Sequence, residues 1–566
     1  MLAALIVSLL VAVVSFLYGR TALVLLARAG ATGEPNRLPF PIVALAGLAV
    51  LGALAGIWAL CSGLGALAFC AFLAGAILIA LLRPPWLSEA LRPEAAEVRG
   101  AGPPGWLLLA AGALFVLART AGPVESYDAG TYHAPLIRWL ESYGFVPGLG
   151  NLHGRLALSA GWLVPSALFS FVWLGGRSLH VLNGTVLLLV LLSGVTALAA
   201  WRRGERRASL VLRLLLPLAG LRFFGKWLSS PTPDVAAAVL VWVVGVLALE
   251  LAESAEGEPV GADDARAVAL ALLAGFAVAV KLSTLPLLLL PFLFAVHRLA
   301  AGKPRRAGAL AAALVLLLLP AVAQSLVASG YPVFPLALLD PFDFDWQVPR
   351  AQAAAYVDWI RSSALLPHRP QQEALAMPLT EWLPRWWESL RWPFSGVVLA
   401  IVFLAPFHLA LLLIRRPRRS SFERLALHAT VWAGALFWFF TAPAPRFGWG
   451  FVVLLALLLA LPLLAAAARR LPPAALAALL LAALAWEAWQ VRGWEPDAFP
   501  AAARHALVPA DYPRPVTRRV ALGGLPLHGP VRNDQCWHAP FPCTPTPDTR
   551  LQLRGPGLAD GFRSTD

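Results

Sequence analysis

Apolar runs long enough to cross a bilayer recur along almost the whole chain, and that recurrence limits what it can fold into more than any motif does. A helix needs about 20 mostly apolar residues to span roughly 30 Å of hydrocarbon. Runs of this character lie near residues 2–18, 39–60, 62–82, 104–118, 179–200, 208–222, 233–252, 266–280, 282–298, 306–328, 394–414, 425–441, 448–468 and 471–488. Of the 566 residues, 59% are apolar and 13% charged. A soluble chain carries about 25% charge, so this one lacks the residues for a water-facing coat. The expectation is an all-α, polytopic transmembrane helical bundle of about 12–14 spans over residues 1–488. Extracytoplasmic loops are expected at 120–178 and 329–392, with an extracytoplasmic tail at 489–566. The first run has neither a basic leader nor a convincing cleavage site and reads as a retained span. The stretch 158–176 is apolar but broken by Pro165, which suits a juxtamembrane or re-entrant element.

The formal net charge of +14 might be taken for a nucleic-acid signal, but its placement argues against one. Basic residues gather in short loops between apolar runs, as the positive-inside rule requires. A single orientation puts Arg83, Arg92, Arg99, Arg202, Arg203, Arg206, Arg207, Arg298, Lys303, Arg305, Arg306, Arg415, Arg416, Arg418, Arg419, Arg469 and Arg470 in the cytoplasm. It also places Asp263 and Asp264 there, and acids count little in the rule. The segments 120–157, 223–232, 329–392, 442–447 and the tail then share the outer face. Chemistry is expected there. Cys61 and Cys70 sit in or beside an apolar run, as small buried hydrophobes do. Cys536 and Cys543, seven apart in NDQCWHAPFPC, lie where an oxidising compartment lets a disulfide persist.

The richest outer stretch, ESYDAGTYHAPLIRWLESYGFVPGLGNLHGR, holds Glu125, Asp128, His133, Arg138, Glu141, His153 and Arg155. A carboxylate at a membrane edge suits deprotonation of an acceptor hydroxyl or ligation of a divalent cation. Asp128 is equally suited to capping the helix that follows it, and Asp234 in SSPTPD to capping its own span. Lys281 interrupts an apolar stretch, and Arg446 stands in the rigid segment TAPAPRFGWG. Each could hold a phosphate or serve as an interfacial anchor. Asp340, Asp343 and Asp345 alternate with aromatics before Trp346, an arrangement suited to sugar rings. Trp382, Trp386, Trp387 and Trp392 suit an aromatic belt. No nucleotide-binding, zinc-protease or serine-hydrolase motif stands in a supporting context.

YDAGTYHAPLIRWLESYGFVPGLGNLHGRLALS, SGYPVFP, DWQVP, APAPRFGWG and CWHAPFPCTP resemble the shared segments of a large uncharacterised family of bacterial multi-pass membrane proteins. More distantly, the layout resembles the GT-C superfamily of membrane glycosyltransferases. Those enzymes use polyprenyl-phosphate sugars and place an acid in the first large outer loop, where Asp128 stands here. Their usual acid pair is replaced by Tyr127–Asp128, so a divalent cation is an option and no cofactor is required.

The resulting expectation is an inverting transferase at the outer face of a bacterial inner membrane. Its donor would be a lipid-linked sugar and its acceptor a cell-envelope glycan, lipid or protein, within membrane lipid and without nucleic acid. Asp128 would be the base, with His133 and Asp234 orienting it or the acceptor. Lys281 and Arg446 would hold the donor phosphate. Tyr132, Asn151, His153, Arg155 and Trp346 would contact acceptor or sugar. The alternatives are a transporter or flippase of lipid-linked saccharides, and a non-catalytic envelope scaffold working through its tail.

Overall fold

The computed structural model describes residues 1–30, 38–254, 262–414, 422–522 and 525–565, so Arg415, Arg416, Arg418 and Arg419 lie outside the described residues. The chain is an all-α bundle of membrane-spanning helices with two small antiparallel hairpins near its end. Among the described residues, ten helices are long and apolar enough to cross a membrane. The number is eleven if Ala66–Leu82 and Pro85–Gly100, bent by 86°, form one span. That is fewer than the expected 12–14, although the remaining apolar runs are helical too, over Ala262–Val280, Phe394–Ile414 and Phe422–Thr441. Asp263, Asp264 and Arg266 shorten the apolar part of the first of these, and Glu423 and Arg424 that of the last.

Most spans are apolar on every side, as segments facing both protein and lipid must be. Small residues decide which helices approach closely. Leu2–Ala29 and Phe40–Ala59 cross at Gly19 and Gly47, where an added Cβ would lie 2.1 Å from the Val43 carbonyl and 1.6 Å from the Ser15 carbonyl respectively. The stretch 158–176 forms short helices at Leu163–Leu168 and Val172–Gly175. The first is buried, with the Gly161 amide donating to Ala279. The second exposes Trp173 and Leu174.

Ion pairs link the basic loops at one end of the bundle. Arg203 meets Glu97 at 2.5 Å, and Asp264 meets Arg298 at 3.0 Å and Arg306 at 2.9 Å. Asp264 thus clamps two basic segments, which accounts for an acid among arginines. The Glu253 carboxylate accepts from the Ala208 and Ser209 amides, at 2.8 and 3.1 Å, and so caps the helix Ala208–Phe224.

The opposite end is built by the loops and the tail. The last span runs Pro473–Trp494, past the expected boundary at 488. The chain then lies across the loop that follows the helix Gly102–Ala121. The Ala510 amide donates to Ala121, Trp537 to Gly130 and Phe562 to Pro147. The Thr544 hydroxyl donates to the Leu152 carbonyl at 2.8 Å. Cys536 and Cys543 are disulfide-bonded. Trp537, 7% exposed, packs with Val124, Ala129, Ala134 and Tyr512. Losing a buried indole typically costs about 3–5 kcal/mol, so Trp537→Ala should undock the tail while the spans persist. Limited proteolysis is expected to cleave residues 505–550 faster than in the wild type, and equal rates would refute docking through Trp537.

Candidate active site

Asp128 opens a single wide π turn, Ala129–His133, that leads into the helix Ala134–Ser142. Such turns are frequent at functional sites. No side-chain capping bond forms there. The carboxylate instead accepts from Arg446, while Arg155 Nη1 stands 3.8 Å from its other oxygen. Asp234 departs from the capping reading in the same way. Its own amide faces Thr232 Oγ1 at 3.4 Å, and its carboxylate pairs with Lys281. Arg446 Nη1 joins the two acids, standing 3.8 Å from Asp234. The result is one chain of charge, Arg155–Asp128–Arg446–Asp234–Lys281.

Four segments far apart in sequence deliver these side chains, the first loop supplying both Asp128 and Arg155. Lys281 does not snorkel, since its ammonium lies 3.8 Å from the centre of the Phe447 ring. Arg155 stacks over Trp359 at 4.3 Å. The segment bearing Arg446 is held from its far side, where Trp386 Nε1 donates to the Pro443 carbonyl and Trp438 Nε1 to that of Ala444, both at 2.8 Å. Trp386 is buried and therefore structural, whereas Trp387 and Trp392 are exposed as a belt requires.

Buried charges demand partners, and here the balance is uneven: three cations face two carboxylates. Asp234 is 4% exposed and Asp128 12%, whereas Arg446 is 34% exposed and forms the open edge. Burial alone would push the Asp128 carboxyl up, but Arg446, His133 and Arg155 together hold it below its usual value. Burial works against the Arg446 charge, and Asp128 and Asp234 outweigh it, raising its pKa. His133 is 1% exposed, and burial pushes it down to about 4. It is neutral at pH 7, and among the described residues neither ring nitrogen has a hydrogen-bond partner. Tyr132 is half-buried against the His133 ring, its pKa raised by burial and by Asp128.

The other expected residues lie apart. The Asn151 amide donates to the carbonyls of Trp346 (2.9 Å) and Phe562 (3.4 Å), which ties the first loop to the third and to the tail. Trp346 stacks on Phe344 at 4.4 Å beneath Arg554 at 4.7 Å. Asp340 pairs with Arg350 and Asp345 with Arg554, so these two acids join polypeptide segments. His153 is buried beside an outer cleft. Lys226 lies over Trp227. Among the described residues no three His, Cys, Asp or Glu side chains gather as a metal set. A cation held by both Asp128 and Asp234 would have to displace Arg446. Phe447, Trp359 and Thr232 were not singled out from sequence. Phe447, adjacent to Arg446, was the one with a local signal.

The chain belongs to the family described as a domain of unknown function (DUF8201), whose profile matches residues 1–453. No curated protein and no solved structure matches it. All five charged residues lie within the matched range, and the tail lies beyond it.

Removing one partner of a buried pair typically costs about 3–5 kcal/mol. Lys281→Met should therefore destabilise the protein more than the Lys281→Met/Asp234→Asn double variant does. Thermal unfolding of the detergent-solubilised protein measures this, and additive effects would mean the pair is not coupled. A pH effect follows from Glu141, 8% exposed, whose carboxyl burial pushes up to about 7 against pulls from Ser170 and Arg138. The folded state binds this proton more tightly than the unfolded state. The stabilisation is therefore complete below the unfolded pKa, near 4.5, and is lost as pH rises through about 7. Glu141→Gln is expected to raise the melting temperature at pH 8 relative to wild type and to change it little at pH 4.5. An equal change at both would refute the assignment.

Proposed function

We propose that the protein is a GT-C-like glycosyltransferase that moves a sugar from a polyprenyl-phosphate donor to a cell-envelope acceptor at the outer face of a bacterial inner membrane. The observation that carries this reading is the unbalanced charge chain. Its one surplus positive charge opens through Arg446, which stands just before the apolar helix Phe451–Arg470. A phosphodiester brings one negative charge and fits a guanidinium bidentately, with Lys281 as a second point charge.

The chemistry then follows from the pairs. The bond between the sugar's anomeric carbon and the phosphate oxygen breaks, and its electrons leave on the phosphate, where Arg446 and Lys281 stabilise them. The acceptor oxygen bonds to the anomeric carbon from the opposite face, and its proton passes to Asp128. At rest Asp128 is ionised but a weak base, because Arg446 holds it low. A donor phosphate that engages Arg446 weakens that hold. Burial, the largest influence on Asp128 and one that raises its pKa, then makes it a stronger base. Donor binding would thereby arm the base only when there is something to transfer. His133, neutral and with both ring nitrogens unpaired, supplies one donor and one acceptor for orienting a hydroxyl.

Asp128→Asn should lower transfer per folded molecule by roughly 10²–10⁴-fold, beyond what any loss of folded protein accounts for. Mass spectrometry of co-purifying lipids is the direct check. A polyprenyl-phosphate sugar retained by the variant and consumed by the wild type is expected. An intact lipid-linked oligosaccharide held by both, cleaved by neither, would point to transport instead.

A further inference from the structure

Close in sequence to Arg155 lies a concavity of ≈ 370 Å³ with a chemistry different from that of the charge chain. Asn151 and His153 of the first loop, Gln352 and Tyr356 of the helix Arg350–Leu365, and Thr546 to Thr549 of the tail form its walls. None of the nine lining residues is lysine or arginine. His153, 7% exposed, is pushed down to about 4 by burial and then by Arg155, so it too is uncharged at neutral pH. Hydroxyl, amide and imidazole groups and the Asp548 carboxylate, itself paired with Arg550 at 2.7 Å, stand beside an aromatic face, a lining that suits a ligand rich in hydroxyls and sets a carboxylate against an anion. The size falls within the roughly 300–1,000 Å³ typical of small-molecule sites.

The cleft is a built feature. Tyr356 Oη accepts from the Gly154 amide at 3.1 Å. A Cβ on Gly154 would lie 2.0 Å from the tyrosine ring, so glycine is what admits the aromatic wall. Thr544 pins the tail to Leu152 at the same place. The same helix presents Tyr356 to the cleft and, three residues on, Trp359 to Arg155, which faces Asp128.

We infer that this cleft binds a neutral saccharide, presented from the aqueous side with the tail as one wall. Calling that saccharide the acceptor rests on the transferase reading, but its binding does not. The phosphate-holding cations and the hydroxyl-binding wall are then separate sites joined through Arg155, and residues beyond the family match help select what is bound.

Saturation-transfer NMR on the full-length protein in lipid nanodiscs tests this, with methyl glucoside, methyl galactoside and methyl N-acetylglucosaminide as probes. At least one glycoside should receive saturation from the wild type. Gln352→Ala and Thr549→Ala, which alter only cleft walls, should each weaken its binding roughly tenfold, and inorganic pyrophosphate should not displace it. No transfer above that of empty nanodiscs, equal transfer in both variants, or displacement by pyrophosphate would overturn the proposal. Polyprenyl-phosphate binding to wild type and Lys281→Met protein reports separately on the charge chain. If the glycoside binds in the cleft but polyprenyl phosphate does not bind the wild type, the saccharide site stands and the transferase reading falls.

Discussion

The bridge that Arg446 makes between Asp128 and Asp234 is the interaction on which the outer end of this protein depends. The guanidinium donates to Asp128 and stands 3.8 Å from Asp234, whose direct partner is Lys281, while Arg155 is 3.8 Å from the other Asp128 oxygen. Desolvating such charges costs several kcal/mol per ion, so the arrangement adds little net stability. What it adds is mutual placement. The loop after the span Gly102–Ala121, the start of the span Pro233–Ser254, the turn at Lys281 and the segment at Arg446 must all arrive together for any one of these charges to be satisfied.

The helices make that arrival reproducible. Trp386 and Trp438 hold the carbonyls of Pro443 and Ala444, which fixes the backbone from which Arg446 projects. Trp242, fully buried, donates to the carbonyls of Trp449 and Gly450 at 3.1 Å, holding the other end of the same segment. Indoles suit this work, since each buries a large apolar body while its N–H satisfies a carbonyl that a proline-rich segment cannot satisfy internally.

The bundle and the gathering of the polar loops at one end of it were legible in sequence because they follow from apolar length and basic-loop placement, both local properties. Asp128, Asp234, Lys281 and Arg446 were individually legible as charges where charge is expensive. Their pairing was not, because nothing local says that residues 128 and 446 meet. The segment-joining contacts of Asn151 and Trp346 were hidden for a related reason. A polar side chain in a loop and an aromatic beside aspartates look the same from sequence whether they face a ligand or another segment, and here they join the first loop, the third loop and the tail. Among the described residues the span count falls short of the expectation in part where charges near a helix's start, as at Asp264 and Arg266, shorten its apolar length.

A site that brings a lipid phosphate and a hydroxylated partner together must keep their recognition chemistries apart. Cations that grip phosphate would also draw a saccharide's own anionic substituents, and a hydrogen-bonding wall gives a phosphodiester no charge to balance it. Arg155 sits at the division. Its guanidinium is stacked on Trp359, beyond which the helix carries Tyr356 into the hydroxyl- and amide-lined cleft. Its positive charge is turned toward Asp128 at 3.8 Å. An arginine so placed is electrostatically part of the charge chain and sterically part of the cleft's support. On the proposed reading, a shift of Asp128 away from Arg446 would be felt by Arg155, which stacks on the helix that also lines the cleft, so charge rearrangement at Arg446 and positioning in the cleft need not be independent events.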